Sequence, residues 1–329
     1  MAWSAARCAL LVLSLVGVGS SSRAMAQDYP TRPITIVVTL AAGTGMDVIA
    51  RLYADKLSQS LGKPVVIENK PGASTMLGTA AVASAPPDGY TLLVATSAAL
   101  SINPTLFKQI AYDPEKDLVP VALYLKSPFI LIVNPALPVH SVPELIEYAK
   151  KSPTPLNYSS PGAGGLPYLS VELMNNRFGL KMTHVPYRNS PQAVSDVAAG
   201  HVDLSIAEAG ASLALIRDGK VRALAVTSTQ RLAAHPSVPP FAEAANAPDF
   251  ETVSWHVLLA PAKTPRPIVE KLHAEMKRIM SAPDMQQKLS DLGLIPLDPP
   301  SIADTERYIK SETKKWSEVV NKVGLAGSQ

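Results

Sequence analysis

Glycine, serine and threonine gather at three places in the 329-residue chain, residues 41–47, 95–99 and 159–165, each between an apolar run and the start of a helical pattern. At a helix start the first backbone amides lack partners and the helix dipole is positive, so a carboxylate or phosphate is stabilised there. Glycine lets the main chain approach a guest closely, while serine and threonine add hydroxyl donors. One such loop could be a turn and nothing more; three of the same composition point to anion capture. A helix start contributes about 0.3–1 kcal/mol, or about 2 when partly buried, and a hydrogen bond to a charged group about 1.5–3 kcal/mol. Four or five such bonds reach the roughly 8 kcal/mol of micromolar binding after offsetting closure. No arginine lies within these loops.

Catalytic patterns are weaker. His140, His184, His201, His235, His256 and His273 show neither HxH nor HExxH spacing, which argues against a metal centre. Ser311 and Lys314 match S-x-x-K without the other elements of that enzyme class. Gly162, Ala163 and Gly164 begin like a dinucleotide fingerprint, but Pro167 stands at the third glycine position, so no cofactor is implied. There is no G-x-S-x-G elbow and no P-loop. Asp47, at a helix beginning, is expected to satisfy amides or hold its loop rather than to act as an acid.

The elements that must carry these loops follow a strand, loop, helix grammar. Residues 34–38 read as a buried strand, 46–61 as a helix stopped by Gly62, and 65–67 as the next strand. A helix over 78–84 and a strand over 90–95 continue the series, which predicts a parallel sheet covered by helices. A second series opens with a strand at 129–133 and a helix at 142–151 behind the N-cap Ser141. It continues through residues 156–177, a strand near 184–187, a helix at 192–199, a strand at 202–206, a helix at 211–217 and a strand at 221–227. A strand over 252–259 follows, then helices at 265–280 and 302–323; this amphipathic end is expected to pack on the first lobe. The layout is an α/β chain of two lobes with two crossings, near Lys126 and Ser254: residues 27–126 with 254–329, and 127–253. Two crossings make a hinge that can close around a ligand.

Composition bounds the setting. Arg7, an apolar stretch over residues 9–18 and the small-x-small triplet Ala24, Met25, Ala26 read as a signal peptide, residues 1–26, so export to the periplasm of a Gram-negative bacterium is expected. The apolar stretch is shorter than the roughly 20 residues that cross a bilayer. The single cysteine, Cys8, falls in that leader, leaving neither disulfides nor thiolate metal sites. Of 30 basic and 27 acidic residues the leader removes Arg7 and Arg23, leaving 28 against 27, a net +1 with no footprint for nucleic acid or membrane.

Several segments together resemble one family, the Bug or TctC-type solute receptors of tripartite tricarboxylate transport systems. They are Gly43 with Asp47-Val48-Ile49-Ala50-Arg51, residues 66–73 (VIENKPGA), 87–93 (PDGYTLL), 156–158 (LNY), 184–187 (HVPY), 222–227 (RALAVT), and Ser254-Trp255 leading to 258–261 (LLAP). The resemblance implies a type II periplasmic-binding-protein fold, a Venus flytrap that closes on an organic anion, often a dicarboxylate or aromatic acid, through backbone amides and ordered water. Carried over by position, the contacts would be Gly43, Thr44, Gly45, Met46, Asp47, Ser97 and Ala98 from the first lobe. From the second they would be Ser160, Gly162, Ala163, Gly164, Gly165, Tyr168, Ala207 and Glu208. The implied partner is a two-component membrane permease, with no cofactor and a monomeric receptor.

Three departures bear on the ligand. Leu40, Ala41 and Ala42 replace the usual proline-rich lead-in, with Thr44 after Gly43; Gly165, Leu166 and Tyr168 make the third loop more apolar; and Ala207 then Glu208 stand where an aspartate is common. These favour aromatic acids and aliphatic diacids equally and weigh against an ammonium-bearing guest. Two alternatives are a secreted hydrolase of small esters or amides, which lacks a paired nucleophile and base, and a sensing module that signals to a membrane kinase.

Overall fold

A computed structural model describes residues 29–162 and 164–329; the signal-peptide reading, with Cys8, lies outside the described residues, as does Ala163. Eleven strands form two sheets among the described residues. The first holds β1 (Ile34–Val38), β2 (Val65–Asn69), β3 (Thr91–Thr96), β4 (Leu118–Ser127), β10 (Ser254–Pro261) and β11 (Ile295–Pro296), in the order β11-β4-β10-β3-β1-β2. The second holds β5 (Phe129–Val133), β6 (Asn157–Ser160), β7 (Thr183–Pro186), β8 (Leu204–Glu208) and β9 (Arg222–Val226), in the order β7-β6-β8-β5-β9.

The sheets are mixed, which corrects the all-parallel expectation. β1 pairs parallel with β2 and β3, and β6 parallel with β7 and β8. However, β10 runs antiparallel to β3 and β4, and β5 antiparallel to β8 and β9. The cause is the double crossing. β4 leaves the first sheet at the carboxyl edge and only Pro128 separates it from β5, which must then enter the second sheet from its own carboxyl edge, against the direction of β6 and β8. β9 and β10 repeat this in return. The carboxyl edges of the two sheets therefore face one another, and the crossings lie side by side, with Ser254 opposite Ser127 and Trp255 opposite Lys126. Chain direction alone builds a crevice where α/β sheets bind ligands.

The helices are α1 (Gly45–Leu61), α2 (Met76–Ala83), α3 (Asn103–Leu106), α4 (Val142–Lys151), α5 (Leu166–Phe178), α6 (Ser190–Ala199), α7 (Ala209–Arg217), α8 (Phe241–Ala244), α9 (Arg266–Met280), α10 (Pro283–Asp291) and α11 (Ile302–Lys322). Local chemistry sets their ends: the hydroxyls of Thr44, Ser141 and Ser301 and the Asn189 side chain accept from amides of α1, α4, α11 and α6, and Gly62, Gly179 and Gly200 stop α1, α5 and α6 in left-handed conformations. β4, α10 and β11 were not anticipated; β4 carries Pro120 as its third residue and α10 is short and strongly polar, so neither repeats cleanly in sequence.

The two largest cores separate along the sheets. One buries Ile34, Ile36, Tyr53, Leu57, Tyr124 and Leu272 around the first sheet; the other buries Leu131, Tyr158, Leu169, Met174, Ile206 and Phe250 around the second. The expectation that the C-terminal end packs only on the first lobe needs correction. α9 does so, through Ile268, Val269, Leu272 and Met276. α11, by contrast, buries Ile309 against Trp255 and Val257 of the first sheet and Trp316 and Val320 in the core of the second. With 21 residues at 1.5 Å rise it is long enough to span both.

Candidate functional site

The first loop follows β1 and opens α1, and its chemistry centres on Asp47. Its carboxylate accepts from Gly43 N (2.9 Å), Asn69 Nδ2 (2.9 Å) and Arg51 Nε (3.1 Å), and Arg51 also pairs with its other oxygen at 2.9 Å. Burial alone would raise the Asp47 carboxyl, but the bonds from Arg51, Gly43 and Asn69 outweigh it and hold the group below its usual range. Asn69 also donates to Leu40 O at 3.0 Å, and Thr44 Oγ1 to Ala41 O at 2.8 Å. Asp47 thus holds the loop, as expected.

That brace consumes donors that the sequence left open to a guest. Gly43 N serves Asp47, and Asp47 N serves Thr44 Oγ1. Gly45 N and Met46 N have no acceptor among the described residues. The Met46 side chain is buried in the first core, which leaves only its main chain to the crevice. Arg51, four residues along α1 and outside the loop, is the cation that the loop composition did not show; helical i,i+4 spacing brings it onto Asp47.

The second loop follows β3. Ser97 is buried with its hydroxyl 3.4 Å from that of Ser254 on the crossing strand, and Ala98 begins a π-type turn over Ala98–Ile102 that runs into α3. The third loop follows β6. Ser160 Oγ lies 2.7 Å from His184 Nε2 and 3.2 Å from Gly162 O, and accepts weakly from Gly162 N. Gly162 and Gly164 have φ of 136° and 84°, the left-handed region that suits glycine. Gly165 is the N-cap of α5, and its N–H bonds back to Gly162 O. Ser160 is fully buried, so its pairing with His184 fixes the loop and offers no accessible nucleophile.

Tyr168, in the first turn of α5, sets its ring edge-on to His184 at 4.8 Å, and both are half-buried. Burial lowers the His184 imidazole and raises the Tyr168 phenol. Ala207 and Glu208 end β8. Ala207 is packed in the core and offers only its main chain. Solvent reaches Glu208, while protein crowding on its other sides pushes its carboxyl up.

The loops of the two sheets meet: a Cβ built on Gly164 would stand 2.7 Å from Leu106 Cδ2 at the end of α3. Sequence reasoning placed a helix at 192–199 but did not count its start as a fourth one on this edge. β7 runs into Arg188 and the Asn189 cap of α6, where Val185, Pro186, Tyr187, Arg188 and Gln192 line a recess of about 500 Å³. Its signal was the Asn-Ser-Pro-Gln capping pattern at 189–192. Among the described residues no three His, Cys, Asp or Glu converge as metal ligands, and no helix is long and apolar enough to cross a membrane.

Comparison with known proteins places this geometry. Residues 49–325 match the family model described as "Tripartite tricarboxylate transporter family receptor". A protein of Pseudomonas sp. (strain P51), named as UPF0065 protein in the tcbD-tcbE intergenic region, is 36% identical over 98% of this chain and 96% of its own. The structure of R. palustris Rpa4515 with adipate aligns with a TM-score of 0.79 and 35% identity, covering 91% of this chain and 99% of that one. MatC (Rpa3494) from Rhodopseudomonas palustris with bound malate aligns at 0.74 and 33%, covering 89% and 100%.

Proposed function

Because the chain belongs to the tripartite tricarboxylate transporter receptor family, a family of solute-binding receptors and not of enzymes, we propose that it captures an aliphatic dicarboxylate between its two lobes. The carrying observation is the placement of helix starts from both sheets on facing carboxyl edges, with Gly45 and Met46 amides on one side and the glycine loop before α5 on the other. The two ligand-bound relatives hold adipate and malate, which supports a diacid over an aromatic acid.

In this reading Gly43, Thr44, Gly45, Met46, Asp47, Ser97 and Ala98 form one wall, and Ser160, Gly162, Gly164, Gly165, Tyr168, Ala207 and Glu208 the other. Main-chain donors do the binding. Asp47 and Ser160 shape loops, and the Tyr168 ring sets the length of the guest. The lobes divide at residues 126/127 and 253/254, supported by β10 beginning at Ser254 and by β5 and β9 lying in the second sheet, while β4 carries the first sheet one residue past the first boundary, to Ser127. The receptor works in the periplasm as a monomer and delivers its ligand to a two-component permease.

Thermal denaturation of the mature protein with millimolar adipate, malate and benzoate tests this. A ligand that binds the native state alone stabilises it by mass action, by about 2.7 kcal/mol at a hundredfold excess over Kd, and so raises Tm. A rise with a diacid supports the reading; a rise with benzoate alone moves it to aromatic acids, and no rise with any carboxylate rejects it.

A further inference from the structure

His256 stands on β10 opposite Thr96, the last residue of β3, and two residues inside Ser254, whose hydroxyl meets that of Ser97. β10 is an inner strand of its sheet, and this position lies level with the carboxyl end of β3, from which the second loop leaves. The ring is set edge-on to Tyr124 at 5.9 Å, and Tyr124 packs on Tyr53 at 4.6 Å, so three polar-tipped rings run from α1 through β4 to β10. The hydroxyls of Tyr53 and Tyr124 and the Nδ1 of His256 are all enclosed without a hydrogen-bond partner. His256 is 7% exposed, and its Nε2, by contrast, is neither among the enclosed atoms nor bonded within the described residues.

That asymmetry decides the tautomer. An enclosed N–H without an acceptor is costlier and rarer than an enclosed lone pair, so the proton resides on Nε2. No ion pair among the described residues involves His256, and burial disfavours the imidazolium. Tyr124 packs against the ring, and the strand position, level with Thr96 and one residue short of Ser97 where the second loop begins, sets His256 at the carboxyl edge of the sheet.

We propose that His256 is a ligand-contacting residue whose neutral Nε2–H, rising from the crevice floor between the first and second loops, donates to a carboxylate oxygen of the bound anion. The proposal rests on the carboxylate reading above and adds to it one side-chain donor among main-chain ones. A neutral donor fixes the guest's orientation without placing a buried cation in the crevice, and it discriminates against guests that present a donor of their own at that point.

Calorimetric titration of mature wild-type, His256→Asn and His256→Gln proteins with adipate, malate and benzoate at neutral pH tests it. The glutamine amide nitrogen reaches the position of imidazole Nε2, whereas the asparagine amide reaches only that of Nδ1. His256→Asn should lose about tenfold or more in affinity, and His256→Gln should stay within about threefold of wild type. Wild-type ¹⁵N spectra should show the Nε2–H tautomer, with that resonance moving when ligand is added; this arm stands even if a variant fails to fold. Asparagine binding like wild type, equal losses in both variants, or an Nδ1–H tautomer would overturn the proposal alone. Should the wild-type protein bind none of the three acids, the carboxylate reading fails and this proposal falls with it.

Discussion

The indole Nε1 of Trp255 donates to Oε2 of Glu312 at 3.2 Å, joining the strand that returns from the second lobe to the C-terminal helix. The same oxygen accepts from Trp316 Nε1 at 3.1 Å, and Lys315 pairs with the other oxygen while also donating to Glu251 O at 3.2 Å. Lys126 on the outgoing crossing bonds both oxygens of Glu251 at 3.0 and 3.1 Å. One nearly buried carboxylate thus gathers the returning strand and a helix anchored in both cores.

Glu312→Ala should cost about 2–4 kcal/mol, because it leaves two buried indole donors and Lys315 without their acceptor. Urea unfolding followed by tryptophan fluorescence reads this directly. A midpoint within error of wild type would show that the cluster contributes nothing to the native state.

Asp47→Asn should destabilise the protein by about 1–3 kcal/mol and weaken ligand binding, since the ion pair with Arg51 is lost and Arg51, Gly43 N and Asn69 compete for one remaining carbonyl. The native carboxyl titrates below its unfolded value. Its contribution is therefore complete above about pH 4 and disappears as pH falls through the native value. The difference in unfolding free energy between wild type and Asp47→Asn should shrink on acidification below about pH 4; a difference that stays constant in that range would contradict it.

Gly164→Ala meets two obstacles: a φ of 84° and a Cβ 2.7 Å from Leu106 Cδ2. The backbone term costs about 1–2 kcal/mol, and the added Cβ also presses on Leu106, which is buried in the second core. Ligand affinity should fall along with stability, and the double variant Gly164→Ala, Leu106→Ala should recover part of the affinity. Isothermal titration of the three proteins separates the terms, and no recovery would place the whole effect in the backbone.

His256 is held neutral by burial, its pKa lowered to about 4 from 6.5. A group depressed in the native state favours folding fully above its unfolded pKa, so this contribution is intact above pH 6.5 and is lost as pH falls to about 4. The full span amounts to about 3 kcal/mol. Wild type should lose stability between these limits more steeply than His256→Gln, as measured by urea midpoints at half-unit pH steps, and parallel slopes would refute the assignment.

Much of this molecule could be read from its residues alone. Strand and helix positions followed from apolar periodicity and from caps such as Ser141 and Gly62, because those signals act within a few residues and need no partner. The crossings near Lys126 and Ser254 were visible as breaks between two strand–helix series. What needed three dimensions was direction and burial. The antiparallel entry of β5 and β10 arises only once the chain has crossed to a facing edge, and the span of α11 depends on where both cores lie. Composition presented every loop amide as available; the fold spent Gly43 N on Asp47 and turned Met46 and Ala207 into the core. His256 was one of six histidines without a motif, and only its place beside Tyr124 at the carboxyl edge of the sheet set it apart. Spacing along the chain fixes which groups exist at a helix start, but whether a donor is free depends on neighbours distant in sequence, and those are assigned by packing.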